Sequence, residues 1–237
     1  MLTPHFIYSN KTLCFNVLVP VNKMRQRNEK STTERALPPR DLIEIKTFGG
    51  LALTYQGSPV SIIWESQKAR ILFCYLLISY DQWLHRDKLI EMIWPGCDMV
   101  AGAKNFKTTL SRLRKSFSGA RTVNPVVTLG EAIRLDFNLF RLDSSQFKYH
   151  AASGIKMLAR GEISAARKYL ETAQDIYISE FLPEEPFDAF ISTERAELER
   201  LYASVLSSLE KVYHLEGNRD AVEAISLLKP TTPVSAS

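Results

Sequence analysis

The densest chemistry in the 237-residue chain lies between Asn105 and Phe117, in the run NFKTTLSRLRKSF. Lys107, Arg112, Arg114 and Lys115 share this short stretch with Thr108 and Ser111, and no acid stands between Lys104 and Lys115. Lys and Arg neutralise phosphates, and Arg, Lys, Ser and Thr also read base edges in a major groove wide enough to admit a helix. Such side chains act together only if one element holds them on one face. Phe106, Leu110, Leu113 and Phe117 recur at i, i+4, i+7 and i+11, the spacing of a helix docked on a core. At about 100° per residue, Lys104, Thr108, Ser111, Arg112 and Lys115 fall on the opposite face, with Lys107 and Arg114 on its flank. The spacing predicts a helix over 104–117 that looks like a DNA-recognition helix. A basic face is also what an ordinary solvated helix presents, so the surroundings have to decide.

Those surroundings supply a positioning frame. From Leu42, apolar residues alternate with others (Leu42, Ile43, Ile45, then Leu51, Leu53, Tyr55) between Gly49-Gly50 and Gly57-Ser58-Pro59, which predicts two or three short antiparallel strands. Between Ser66 and Tyr80, Ala69, Leu72, Phe73, Leu76 and Leu77 mark an amphipathic helix. A shorter helix over Arg86 to Trp94 follows and stops at Pro95-Gly96. Helix, short helix, turn, basic helix is the order of a helix-turn-helix unit, whose last helix enters the major groove. Thr122 to Leu135 then reads as a β-hairpin turning at Gly130, where a wing would sit. Strands, three helices and a hairpin make an α+β winged helix-turn-helix. Trp64 and Trp94 lie on apolar stretches and read as packing anchors.

Charge follows the same division. The net charge is +4 over 1–41 (seven bases, three acids), +4 over 42–143 (thirteen and nine) and −4 over 144–237 (ten and fourteen). Between Arg86 and Arg121, eight bases face only Asp87, Glu91 and Asp98, as expected of a polyanion-binding half joined to an acidic half. Cys14, Cys74 and Cys97 form no C-x-x-C pair and the four histidines are scattered, so neither a disulfide framework nor a metal site is expected, and a reducing cytoplasm fits. No stretch approaches the ~18 to 20 apolar residues of a membrane span. There is no G-x-S-x-G elbow, P-loop or dinucleotide fingerprint; no enzyme activity, cofactor or catalytic residue is expected.

Beyond the winged helix, Ser144 to Leu228 is helical in pattern throughout. Phe147, Ala151, Ile155 and Leu158 mark one helix, Ala165 to Tyr177 a second, Asp188 to His214 a long third, and a short fourth follows Gly217. Gly161 and Gly217 each stand four residues before an alanine, Ala165 and Ala221, that opens the next helix. This echo predicts an all-α TPR-like helical domain, with an ordinary helix bundle as the other reading. The expected division is a flexible segment over 1–40, a winged helix over 41–143, a helical domain over 144–229 and a disordered Pro- and Ser-rich tail over 230–237.

These residues carry a resemblance. RDKLIEMIWP, NFKTTLSRLRKSF and a Gly-centred hairpin closing at Leu135 resemble the OmpR-type winged-helix domain of bacterial transcriptional regulators. Asp143-Ser144-Ser145-Gln146-Phe147, through DIYISEFLPEE to the helix centred on Arg195, resembles the bacterial transcriptional activator domain (BTAD). Together, over residues 42–228, they resemble the Streptomyces antibiotic regulatory proteins (the SARP type). That resemblance implies a sequence-specific DNA-binding transcriptional activator. Lys107, Thr108, Ser111 and Arg112 would read bases, Lys104, Arg114 and Lys115 would hold phosphates, and Arg86 would touch the backbone from the preceding helix N-terminus. Arg121 and Arg134 are the wing's candidates. Double-stranded DNA is the expected partner; RNA polymerase, another regulator or a second copy of the chain are candidates for the helical half. Two departures stand out. Family wings usually carry a Gly-Tyr or Gly-Gly-Tyr turn, whereas Gly130-Glu131-Ala132 puts an acid at the tip. Activator domains of this kind usually continue through further helices, whereas the pattern here stops near Lys229, which leaves a truncated form open. The alternative of a different class is a protein-interaction scaffold whose winged helix does not bind DNA.

Overall fold

A computed structural model describes residues 42–121 and 123–228, without the side chains of 119–121. Expectations for 1–40, for 230–237 and for the Arg121 side chain lie outside the described residues.

Ile43 and Ile45 are buried while Glu44 and Lys46 face water, the alternation of a half-buried strand, β1 (Ile43–Lys46). Gly49 and Gly50, both at positive φ, turn the chain into β2 (Ala52–Tyr55), which pairs antiparallel with β1, and β3 (Ser58–Pro59) pairs with β2. Helix α1 (Gln67–Ile78) begins at Ser66, whose hydroxyl accepts from the Ala69 amide at 3.2 Å, a cap typically worth ~0.5–2 kcal/mol. Its apolar stripe predicted one buried face, yet burial runs continuously from Ile71 to Leu77. The reason is position: α1 is covered by α2 (Arg86–Ile93) and α3 (Met99–Arg121) and also by the long helix of the acidic half.

Two strands escaped the sequence pattern. The two residues of β4 (Leu84–His85) pair with β6 (Ala132–Leu135), which forms a hairpin with β5 (Val126–Leu129), giving the order β4-β6-β5. After the hairpin, β7 (Phe140–Leu142) runs parallel to β1 and closes a four-stranded sheet, β3-β2-β1-β7. Trp64, Phe73, Phe117 and Phe140 meet at ring separations of 5.1 to 6.3 Å behind α3, so Trp64 is a packing anchor as expected.

Helix α4 (Asp143–Ala159) starts directly after β7, and α5 (Ile163–Ile176), α6 (Ala189–Glu216) and α7 (Arg219–Leu228) follow. Both glycines of the repeated turn are left-handed, Gly161 at φ +76° and Gly217 at φ +71°, and Gly217 caps α6 through its amide. Helices α4 and α5 approach so closely that a Cβ on Gly154 would lie 2.6 Å from Leu170 Cγ.

The segment between α5 and α6 binds the acidic half to the first sheet. Phe48 and Phe181 form an antiparallel bridge, with Gly49 N donating to Glu180 O at 2.8 Å and Leu182 N to Thr47 O at 2.9 Å. The buried Arg195 guanidinium donates to the Phe181 and Leu182 carbonyls at 2.8 and 2.7 Å. Asp143 accepts from the Thr47 amide at 2.7 Å and the Phe48 amide at 3.2 Å. On α1, Arg70 pairs with Glu184 and Glu185, and the Tyr75 hydroxyl donates to Asp188 at 2.7 Å. Among the described residues no helix is long and apolar enough to cross a membrane.

Candidate nucleic-acid interface

The basic run lies on α3, which is longer than the predicted 104–117. Asp98 accepts from the amides of Val100 and Ala101 at 2.9 and 3.1 Å, satisfying the first turn and starting the helix at Met99. Gly102 is helical and lets α2 pass against it: a Cβ there would lie 2.6 Å from Ile90 Cγ2. The docked face is Phe106, Thr109, Leu113, Ser116 and Phe117, all buried, with Leu110 half-buried at its edge. Burying each large apolar side chain contributes about 1.5–3 kcal/mol, which fixes the helix's rotation about its axis. Lys104, Lys107, Thr108, Ser111, Arg112 and Lys115 are therefore exposed, and Arg114 is half-buried.

Exposure does not make these cations equal. Among the described residues, Lys104, Lys107 and Arg112 have no ion-pair partner. Lys115 Nζ lies 3.0 Å from Glu65 Oε1, and Arg114 Nε donates to Asn124 Oδ1 at 3.3 Å. The Thr108 hydroxyl donates to its own helix at Lys104 O, 3.0 Å, and keeps its lone pairs for an incoming donor.

Beside α3 stands the β5–β6 hairpin. Leu129 pairs with Ala132, which leaves Gly130 and Glu131 as a two-residue turn with Gly130 at φ +56°. Pairing of β4 with β6 brings this turn onto the start of α2, where Arg86 N donates to Glu131 O at 2.8 Å. A groove of about 490 Å³ runs between helix and hairpin, floored by Phe106, Leu110 and Ile133 and edged by Arg86, Lys104, Lys107 and Thr128. Lys104, Lys107 and Arg86 are thus brought together, and Thr128 joins them from a strand whose periodicity said nothing about its role.

Two residues depart from their expected settings. Arg86 Nη2 is 2.9 Å from Glu131 Oε1 and its Nε is 3.3 Å from Asp87. Glu131, expected to stand at the tip and repel phosphate, instead turns back to pair with Arg86, with His85 Nε2 at 3.7 Å. His85, Asp87 and Glu131 could in principle hold a cation, but the Arg86 guanidinium already compensates both carboxylates. Arg134, expected as a wing candidate for minor-groove or phosphate contact, is clamped. Its guanidinium lies 4.5 Å from the ring centres of both Trp83 and Phe137 and 3.7 Å from Asp81, and its Nε is buried without a partner. The cation–π sandwich makes it a structural residue of the sheet.

No protein-family model matches the chain. Over 134 residues, 55% of the chain, it is 25% identical to the transcriptional regulatory protein MoaR1 of Mycobacterium bovis (strain BCG / Pasteur 1173P2). The same figures hold for MoaR1 of Mycobacterium tuberculosis (strain ATCC 25618 / H37Rv), and the match spans 42% of the relative's length in each case. Among solved structures, the chain is similar to Mycobacterium tuberculosis EmbR in complex with a low affinity phosphopeptide, with a TM-score of 0.51 over 80% of this chain and 66% of that one. Sequence identity in that superposition is 17%, and the likeness is one of fold.

Proposed function

We propose that this protein is a sequence-specific, DNA-binding transcriptional regulator of the SARP type, acting as an activator in the cytoplasm and not as an enzyme. The observation that carries the reading is α3: one face is locked into the core, and the other presents Lys107, Arg112, Thr108 and Ser111, with neither cation paired among the described residues. In this reading strands, helices α1 to α3 and hairpin form a winged helix. Helix α3 enters the major groove, where Lys107, Thr108, Ser111 and Arg112 meet base edges. Lys104 and Arg86, on the groove beside the hairpin, meet the flanking phosphates. The TPR-like helices α4 to α7 contact RNA polymerase or another regulator. Similarity to proteins named transcriptional regulators supports this reading.

The test is selection from a random duplex pool with the whole chain, followed by fluorescence titration of the enriched duplex at two salt concentrations. An enriched motif whose affinity falls steeply with salt is the expected outcome. Absent or salt-independent binding overturns the reading and leaves the scaffold alternative.

A further inference from the structure

We infer that Glu131 and Glu65 are specificity-determining residues: each holds one phosphate-facing cation, Arg86 or Lys115, and releases it only to a phosphate in register. This rests on the DNA-binding reading above. The two contacts share a construction. Glu131 places its carboxylate 2.9 Å from Arg86 Nη2, and its own carbonyl accepts from the Arg86 amide at 2.8 Å. Glu65 places its carboxylate 3.0 Å from Lys115 Nζ, and its own amide donates to the Ser116 hydroxyl, one residue along α3, at 3.0 Å. In each case the main chain of the acid is tied to the element that carries the cation, so the carboxylate is held beside its partner without depending on the ion pair.

Exposed ion pairs of this kind are weak enough to be exchanged. On the cognate site, α3 is seated by base contacts and the flanking phosphates are fixed, so a phosphate can replace each carboxylate. On other DNA the register is not fixed, the carboxylates keep Arg86 and Lys115, and the attraction on this face falls to Lys104, Lys107 and Arg112, which have no ion pair among the described residues. Because sequence-independent affinity scales with the number of phosphates neutralised, two withheld cations suppress binding to the wrong DNA more than to the right one.

The test titrates the full chain and its Glu131→Gln, Glu65→Gln and double variants with a random-sequence duplex and with the selected duplex over a salt series. Each single variant is expected to steepen the log–log salt slope on random DNA by about one and to tighten that binding about three- to tenfold at low salt, with a smaller gain on the selected duplex. Glu91→Gln, on an exposed residue of α2 without an ion pair among the described residues, removes the same charge and is expected to leave the slope unchanged. Adding Arg86→Ala to Glu131→Gln should erase the gain. Equal gains on both duplexes, an unchanged slope, or a gain that survives Arg86→Ala would overturn the inference while the DNA-binding reading stands. Failure of the unmodified chain and every variant to bind any duplex overturns both.

Discussion

Arg112, Lys104 and Lys115 carry the same charge on one helix, and their surroundings differ. Arg112 stands in the middle of the exposed face with no paired carboxylate among the described residues. Replacing it with alanine is expected to cost ~1–3 kcal/mol on the selected duplex and to flatten preference at one base position. Lys104 edges the groove beside the hairpin. Lys104→Ala should weaken binding to all duplexes alike and lower the salt slope by about one. Lys115→Ala should do so on the selected duplex and far less on random DNA, because Glu65 already occupies the ammonium. Fluorescence titrations of the three variants on both duplexes separate these outcomes; indistinguishable profiles would remove the base-reading role of Arg112. The outward direction of these side chains was legible from helical spacing alone. Their pairing was not, since Glu65 is 50 residues from Lys115 in sequence and periodicity carries no information about such partners.

At the scale of elements, long periodic segments were read well and short ones were not. The helices α1, α2 and α4 to α7 and the β5–β6 hairpin stand close to where their apolar spacing put them. The strands β4 and β7 were missed because two or three residues cannot display an alternation, and they exist because β6 and β1 offer open edges. Gly102 on α3 is a contact surface, because a Cβ there would meet Ile90 Cγ2 at 2.6 Å. Gly154 plays that part between α4 and α5, where Leu170 Cγ and Cδ2 would stand 2.6 and 2.8 Å from an added Cβ and the Leu170 amide nitrogen 3.1 Å. Because one of those neighbours is main chain, the helices must move apart, and Gly154→Ala is expected to destabilise the protein by ~1–3 kcal/mol despite alanine's higher helix propensity. Urea denaturation checks this; a stabilised or unchanged variant would mean that the helices do not pack this closely.

For the molecule as a whole, titratable groups mark where the two sets of elements meet and where the helices pack. Burial pushes the Cys74 thiol on α1 from its ordinary 9.0 up to about 12. Tyr75 beside it is raised as well, by burial first and then by its hydrogen bond to Asp188. Burial raises Tyr177 from 10.0 to about 12, and burial together with a hydrogen bond to Glu171 does the same for Tyr213. A folded-state pKa above the unfolded value means that the fold holds the proton more tightly. The associated stability is therefore complete below the unfolded pKa and lost as pH rises through the folded one. Urea midpoints are expected to be insensitive to these groups up to about pH 9 and to fall between about pH 9 and 12, with tyrosinate absorbance lagging that of the unfolded chain. Ionisation of these tyrosines at their free-solution value while the protein stays folded would contradict the packing described.

The parallel pairing of β1 with β7 has a kinetic side. Ile43 must wait for Phe140, so the first sheet closes only after α1 to α3 and the β5–β6 hairpin have been synthesised, and Asp143, next after β7, then caps the amides of Thr47 and Phe48. The α4–α5 hairpin, by contrast, is built from near neighbours in sequence. Contacts of long sequence separation form late and slowly, so a nascent chain is expected to pass through a stage in which the helices have formed while β1 still shows the edge that β7 will cover. The order in which residues leave the ribosome thus makes β1, the earliest strand among the described residues, among the last to be sealed.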